Sequence, residues 1–380
     1  MKIQTVNYTQ FEGKPREWRL NGLTLESANL IVGKNASGKT MALNVINGLA
    51  RLLAGDTKLV YLSGDYDVIF EHEGKQLRYL LKYDDAKVSR EEFTCDGKVY
   101  LSRGSGGVGK IFAEKMGADI DFQAPENELA AVVRRDSLQH NFFEPLYQWG
   151  RSLRHFEFGK ALGKDVFAVL VKDMPADLDL KQTNQVVGIF RRAHREFKEA
   201  FTEAVKRDMA RLGYEIDEIG TQPPVSFSVS MPLPGELVGL YVREKGLGGI
   251  TDQNDMSQGM FRALSVIIQL DYAELSQSPS CILIDDVGEG LDFQRSCALI
   301  DLLMKKAERS SVQLIMTTND RFVMNKVPLE AWSLLQRDGS TVHVFNYRTS
   351  KTRFDEFKFT GLNNFDFFAT DFIHEEKSPT

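Results

Sequence analysis

Along the first third of the chain, apolar residues alternate with polar ones. Lys2–Tyr8 and Glu17–Leu20 read as a β-hairpin leading into a short buried strand, Asn29–Val32. The two-residue period returns in Tyr66–Glu71, Gln76–Tyr83, Val88–Thr94 and Lys98–Ser102, with Glu73-Gly74 and Asp96-Gly97 as hairpin turns between them. This predicts an antiparallel meander, with Gly104–Gly109 as a flexible glycine-rich tip. From 125 to 215 the pattern is mainly helical. Asn184–Leu212 sets Phe190, Ala193, Phe197, Phe201, Ala204 and Leu212 on one stripe and Gly213 at the stop. A rod of that length spans about 40 Å at ~1.5 Å per residue. After Pro223-Pro224, strands are expected at Val225–Met231 and Leu237–Arg243, then a helix from Ser257 to about Leu270. A buried strand at Cys281–Ile284, a helix at Phe293–Ala307 and a strand at Val312–Thr317 follow, and Glu375–Thr380 reads as a disordered tail.

One segment gives this pattern a chemistry. Gly33-Lys34-Asn35-Ala36-Ser37-Gly38-Lys39-Thr40 fits G-x-x-x-x-G-K-[ST], between the Asn29–Val32 strand and a helix over Met41–Leu53 that Gly55 closes. In that context the glycines let backbone N–H groups point inward, and the helix start adds positive partial charge. Gly33, Asn35, Gly38, Lys39, Thr40 and Met41 are the expected nucleotide contacts. Lys39 reaches the β/γ-phosphates and the Thr40 hydroxyl ligates Mg²⁺.

The second half supplies acids. Cys281-Ile-Leu-Ile-Asp285-Asp286 is an apolar strand ending in paired carboxylates, at the edge where open α/β sheets bind ligands. Asp285 is placed to hold Mg²⁺ through water, and Asp286 to orient or deprotonate an attacking water. Gly288-Glu289-Gly290-Leu291-Asp292 follows directly.

With that continuation, the order of segments resembles the ABC-type ATPases of the SMC, RecF and OLD group, over residues 1–60 and 235–350. The resemblance implies an α/β P-loop fold with a mixed central sheet, an antiparallel β-meander lobe and a helical insertion. It implies an ATPase domain in two lobes over 1–124 and 222–372, an insertion over 125–221 and a tail over 373–380. It makes Glu289–Asp292 the D-loop, Asp255–Leu264 the signature segment and Gln313–Asp320 the switch strand. Ser257 then caps its helix, and the Gly259 amide forms a second anion site for a partner's γ-phosphate, so that two copies clamp two ATP molecules as a homodimer.

Three positions depart from the family pattern. Asp286 stands where a Glu is usual, one methylene shorter, so the loop moves closer, the water is held less well, or Glu289 contributes. Asn319 stands where many members carry a His, and it cannot take a proton near neutral pH. Ser257-Gln-Gly259-Met is a loose signature. Together they imply slow turnover, with Asp286, Lys39, Asn319 and Glu289 as the catalytic set. The Q-loop glutamine is Gln123 or Gln139. Arg103 and Arg262 are cations for phosphate contact or for surface ion pairs. Asn363–Phe368 is an aromatic cluster suited to core packing of the last strand, with partner docking second.

Bulk properties narrow the function classes. Of 380 residues, 42% are hydrophobic and 26% charged, and no apolar run approaches the ~20 residues of a membrane span. The N-terminus has no signal-peptide core, and Cys95, Cys281 and Cys297 lack pairing or zinc spacing, which suits a reducing cytoplasm. A net charge of −6 argues against a generic nucleic-acid-coating protein. The insert is locally basic (Arg134, Arg135, Arg151, Arg154, Arg191, Arg192 and Arg195 among others), either as a solvated face or as a docking face for nucleic acid or a partner. By its resemblance to the OLD-like branch of that group, the function implied is a slow ATP-dependent dimeric switch for a separate effector, a nuclease or toxin, in bacterial anti-phage defence. The alternative is a RecF-like DNA-repair ATPase. No TOPRIM-like acidic site follows residue 350, and a long coiled coil and a CxxC hook are both missing.

Overall fold

The computed structural model describes residues 1–59, 62–171, 178–228, 230, 232–278, 281–309 and 312–374. They divide into two compact units, Met1–Leu153 with Val327–Thr380, and Arg154–Lys326.

In the first unit, β1 (Lys2–Gln10) and β2 (Trp18–Thr24) form the expected hairpin and lead into β3 (Ala28–Gly33) and α1 (Lys39–Leu53). On α1 the helical period buries Ala42, Leu43, Ile46, Leu49, Ala50 and Leu53, and Gly55 closes the helix at φ +73. The meander follows as β4 (Ser63–His72), β5 (Lys75–Asp84), β6 (Lys87–Cys95), β7 (Lys98–Gly104), β8 (Val108–Ala113) and β9 (Ala118–Gln123), each antiparallel to the last. Both expected turns carry positive φ at their two central residues, 52° and 78° at Glu73-Gly74 and 47° and 80° at Asp96-Gly97. That is the twist a two-residue hairpin needs. Gly104–Gly109, expected as a loose tip, is a packed turn instead. A Cβ on Gly107 would lie 2.0 Å from the Ala124 carbonyl oxygen, and Gly109 belongs to β8.

Two short helices complete this stretch, α2 (Ala130–Val133) and α3 (Glu144–Ser152), with α3 against α1. Glu91 of β6 caps α2 by accepting from the Ala130 and Ala131 amides at 2.8 and 2.9 Å. The same carboxylate accepts from the Tyr79 hydroxyl and lies 3.4 Å from the Arg103 guanidinium. Burial pushes the Glu91 carboxyl up, and the attraction of Arg103 does not cancel it.

The second unit opens on β10 (Arg154–Glu157) and β11 (Ala168–Leu170), followed by α4 (Val186–Phe197), α5 (Glu199–Arg211) and β12 (Ile216–Gln222). The single rod expected over 184–212 is therefore broken. Lys198 leaves the helix at φ 48°, ψ −129°, and both halves then pack on a later helix. Phe190 and Phe201 close the break with ring centroids 5.4 Å apart. Next come β13 (Glu236–Glu244), β14 (Thr251–Asp252) and the helix on which both halves pack, α6 (Gln258–Leu275). They are followed by β15 (Cys281–Asp285), α7 (Phe293–Arg309), β16 (Gln313–Thr317) and α8 (Arg321–Lys326). Strands β10, β15 and β16 are parallel and adjacent in that order. Every residue of β15 and β16 is buried, as fits a strand covered on both faces.

The strand expected at Val225–Met231 is not formed over its described residues, and Val229 and Met231 lie outside them. Pro223-Pro224 removes two ladder donors, and the Val225 and Ser226 amides go to the Asp252 carboxylate, both at 2.9 Å. The expected disordered tail, Glu375–Thr380, also falls outside the described residues. A buried charge cluster ties three helices of this unit. Lys306 of α7 lies 2.8 Å from Asp208 of α5 and 2.6 Å from Asp271 of α6. Burial, with the repulsion of Asp208 added, pushes the Asp271 carboxyl up to about 7 against the pull of Lys306.

The chain then returns to the first unit with β17 (Trp332–Asp338), β18 (Thr341–Asn346), α9 (Lys351–Lys358) and α10 (Asn364–Ala369). The sheet of this unit runs β3-β17-β18-β2-β1-β4-β5-β6-β7-β8-β9, with β3 and β17 parallel. The aromatic cluster at Asn363–Phe368 is a helix rather than a strand, started by a capping box between Asn363 and Asp366. Its Phe367 is buried against Phe354 and Phe357, so core packing holds for that ring.

Candidate functional site

In the first unit, β3 is apolar and ends at Gly33, where the backbone comes close to its neighbours. A Cβ there would stand 2.4 Å from Ser37 Oγ and 2.7 Å from the Leu335 carbonyl oxygen of β17. Only glycine fits at that approach. The loop turns through left-handed residues at Ala36 (φ 63°) and Gly38 (φ 103°). Gly38 is seated on Trp18 and Val342, whose atoms lie 3.1 and 3.3 Å from its Cβ position.

Lys34, Asn35 and Ala36 are exposed, and Thr40 and Met41 open α1 with Thr40 at the surface. The Lys39 ammonium folds over the loop and donates to the Gly33 carbonyl at 2.7 Å and to that of Lys34 at 3.3 Å. No side chain caps α1 and its first turn carries no acid. Its leading amides and the positive end of its dipole thus face outward together, which is the arrangement that takes an anion.

In the second unit, the carboxylates at the end of β15 are held by Thr317 of β16. The Thr317 hydroxyl donates to Asp285 Oδ1 at 2.5 Å and accepts from the Asp286 amide at 2.9 Å. Asp286 itself is left-handed, φ 54°. Asp tolerates that region better than Glu, a local reason for the shorter acid here. Asn319 donates its side-chain amide to Asp286 Oδ1 at 3.1 Å, and the Phe158 amide donates to the Asp285 carbonyl at 2.9 Å.

Ser257 caps α6 by accepting from the Met260 amide at 3.2 Å. Gly259 packs on the following loop, since a Cβ there would be 2.6 Å from the Gly290 carbonyl oxygen. Glu289 is exposed, and its carboxylate lies over Gly159, 2.5 Å from that residue's Cβ position. Asp292 caps α7 through the Arg295 amide at 3.0 Å, and that bond together with the Arg295 guanidinium holds its carboxyl below the usual range.

Both proposed cations belong elsewhere. Arg103 is fully buried beside Glu91 and donates to the Pro125 and Glu128 carbonyls, so it offers neither a phosphate contact nor a surface ion pair. Arg262 spends its guanidinium on three backbone carbonyls, those of Gly159 (2.6 Å), Lys160 (2.9 Å) and Glu289 (2.9 Å). It joins α6 to the loop after β15 and to the turn after β10. The two candidate glutamines are both engaged with backbone of the meander side, Gln123 with the Gly106 carbonyl and Gln139 with the Lys115 amide.

Sequence reasoning missed Thr317 and the Phe158–Lys160 turn. A threonine closing an apolar strand was the only signal for the first, and the second gave none. Among the described residues no group of three or more His, Cys, Asp or Glu could hold a metal alone, and no helix is long and apolar enough to cross a membrane.

A family model described as "AAA domain, putative AbiEii toxin, Type IV TA system" matches residues 28–325. No protein of curated function matches the sequence. Among solved structures, the SMC head bound to the C-winged helix domain of ScpA is 13% identical, with TM-score 0.53 over 92% of this chain and 99% of that one. The SMC head domain from Thermotoga maritima is 13% identical at TM-score 0.47, over 91% and 99%. The head domain from Pyrococcus furiosus, solved with the C-terminal domain of ScpA, is 12% identical at 0.49, over 94% and 99%. The first of these carries the fold, a P-loop domain of the ABC/SMC-head type.

Proposed function

The chain belongs to this AAA-domain family, and we propose that it binds ATP with Mg²⁺, hydrolyses it slowly and acts as a cytoplasmic switch for a separate effector. The observation that carries the reading is the uncapped start of α1 beneath Gly33 and Gly38, a phosphate cradle in shape and polarity.

On this reading the amides of Gly38–Met41 and the Lys39 ammonium hold the phosphates, with Gly33 and Asn35 shaping the loop. Thr40 and Asp285 are hard oxygen donors of the kind Mg²⁺ takes. Bound there, the ion would neutralise charge on the phosphates. Asp286 accepts the proton of the attacking water, and Asn319 orients that carboxylate without taking a proton itself. Glu289 is the reserve carboxylate. In a homodimer, Ser257, the Gly259 amide and Asp292 would face the ATP of the second copy.

Residues 1–124 and 222–372 form the ATPase body in this account, and 125–221 the insertion that meets the partner. The toxin and toxin–antitoxin terms in the family description support a link to toxin systems, and we extend that link to a separate nuclease or toxin effector in anti-phage defence. The winged-helix domain held by the similar SMC head supports partner binding by such a fold. A RecF-like DNA ATPase is the second reading. The insert's cations weaken it, because Arg192, Lys206 and Arg211 are paired with Glu196, Glu203 and Asp208.

The test is ATP hydrolysis by the wild type, Lys39→Ala and Asp286→Ala, with co-purification from the native host with and without a hydrolysis-resistant ATP analogue. Slow hydrolysis lost in both variants, with an effector recovered in one nucleotide state, is expected. Hydrolysis unchanged by both substitutions sinks the ATPase assignment, and recovery of the chain alone in both states sinks the effector.

A further inference from the structure

Each unit carries a surface feature that the roles above leave unused. On the first unit it is a pocket of about 480 Å³ beside the phosphate loop. Residues 34–37 of the loop line it, together with Leu334 and Leu335 of β17 and Phe368 of α10. Lys34, Arg337 and Asp371 supply its charges. Lys34 lies 3.9 Å from Asp371 on the open surface, a pair of little strength, and Arg337 donates its Nε to the Gly339 carbonyl at 2.9 Å. With two cations against one acid, the lining is net positive. On the second unit the feature is Phe293, the first residue of α7, left 54% exposed. It borders two surface grooves at once, one with Leu212 and Arg295 and the other with Cys297 and Phe322, so its ring is the ridge between them. The Phe322 ring meets it edge-on at a centroid distance of 4.7 Å and steadies it. Exposed Glu289 and Asp292 precede it, and Arg295 pairs with Asp292, so the surroundings of the ring are net negative.

We propose that Phe293 of one copy fills the pocket beside the phosphate loop of a second copy. The contact rests on the ATP-sandwiched dimer of the preceding reading. In that dimer Asp292 faces the ATP of the second copy, and this ATP lies on Gly33–Thr40, whose residues 34–37 line the pocket. Phe293 follows Asp292 directly, about 3.8 Å further along the chain, so the approach that brings Asp292 to the ATP brings the ring to the pocket. Leu334, Leu335 and Phe368 offer the ring apolar and aromatic neighbours. The positive lining meets the acids that flank the ring, which sets the orientation of approach. An aromatic side chain seated in a pocket is the kind of anchor in which interface energy concentrates. Two-fold symmetry makes the contact twice, once from each copy.

Sedimentation velocity of the full chain with Mg²⁺ and a hydrolysis-resistant ATP analogue tests the contact, beside the affinity of the dilute monomer for a fluorescent ATP analogue. The wild type should bind nucleotide and dimerise. Phe293→Ala should raise the dimer Kd at least about 100-fold, because the anchor is lost twice, and keep nucleotide affinity within about threefold. Phe368→Glu sets an acid in the pocket and should weaken the dimer as strongly. If circular dichroism shows that variant unfolded, Arg337→Glu takes its place, with a dimer about tenfold weaker. Phe293→Cys mixed with Phe368→Cys, each also carrying Cys95→Ser and Cys297→Ser, should be joined one to one by a short bismaleimide only when nucleotide is present. A dimer equally strong in Phe293→Ala, or a mixed pair that is not joined, overturns the contact and leaves the ATP switch standing. A wild type that binds nucleotide and stays monomeric overturns the sandwiched dimer and this contact with it. Absence of nucleotide binding overturns both, and the ATPase assignment as well.

Discussion

The phosphate loop of the first unit and the acidic loop of the second differ in how they are held, the one by close packing and the other by hydrogen bonds from other segments. Gly33–Thr40 is set by its own backbone turns and by close packing on three neighbouring strands, with Trp18, Leu335 and Val342 as its seats. Asp285, Asp286 and Glu289 are positioned by Phe158, Gly159, Arg262, Thr317 and Asn319, from segments more than a hundred residues apart in the chain. A loop held by close backbone packing is vulnerable to a single added methyl group. A site assembled from distant segments is vulnerable at its crosslinks.

The sharpest test of the local half is Gly33→Ala. The added methyl would sit 2.7 Å from a backbone oxygen that cannot give way cheaply. ATP affinity should fall at least about 100-fold, or roughly 2.8 kcal/mol, with the fold intact by circular dichroism. Binding within threefold of wild type would mean that the loop is not rigidly shaped. The matching test of the distributed half is Arg262→Ala. It strands three carbonyl acceptors and removes a largely buried guanidinium, a loss of about 2–4 kcal/mol. A lower midpoint of urea denaturation is expected, with nucleotide binding by the first unit kept within about threefold. If the midpoint does not move, Arg262 does not hold the loop.

This contrast also explains what the chain disclosed in advance. The phosphate loop was legible because its glycines, its lysine and its flanking strand and helix are consecutive. The meander was legible because its turns carry Asp-Gly and Glu-Gly pairs that fix register locally. The break at Lys198 was not legible, since Phe190, Ala193, Phe197 and Phe201 keep a helical stripe straight through it. What decides there is packing of both halves on α6, a tertiary effect. Strand β10 was hidden for the same reason. Arg154–Glu157 is too short and too charged to read as a strand, and its parallel pairing with β15 defines it. Arg103 misled because a lone cation near a glycine-rich turn carries no sign of the buried Glu91 across the sheet. Glycines and turns speak locally, whereas charges speak only once their partners are known.

A smaller effect is expected from the hydroxyl that joins the two acids. Thr317→Val keeps the shape and removes both the donor to Asp285 and the acceptor for the Asp286 amide. A loss of about 1–2 kcal/mol in positioning corresponds to a roughly tenfold lower kcat. The KM for ATP should stay within twofold, because the proposed phosphate contacts are those of Gly33–Thr40. A raised KM at constant kcat would place Thr317 in binding instead.

The smallest effect reads the helix crosslink by pH. Asp271 faces Lys306, Asp208 and Glu274, with Arg211 paired to Asp208 from outside. Its ordinary value is 3.8, and burial lifts it to about 7 in the fold. Between those values the folded chain holds more protons at this site than the unfolded one. This contribution to stability is therefore full at the acidic end of the window and is lost as pH rises toward 7. His155 runs the other way, because burial lowers its affinity for a proton and so costs stability as pH falls below its ordinary 6.5. Denaturation midpoints at pH 5.5 and 8 therefore carry both signs in the wild type. Asp271→Asn removes one of them, so its midpoint should drop less, or rise, between the two pH values, by about 1 kcal/mol relative to wild type. An unchanged difference would mean that Lys306 keeps both carboxylates ionised, and that the three-helix crosslink is an ordinary ion network with no stored proton.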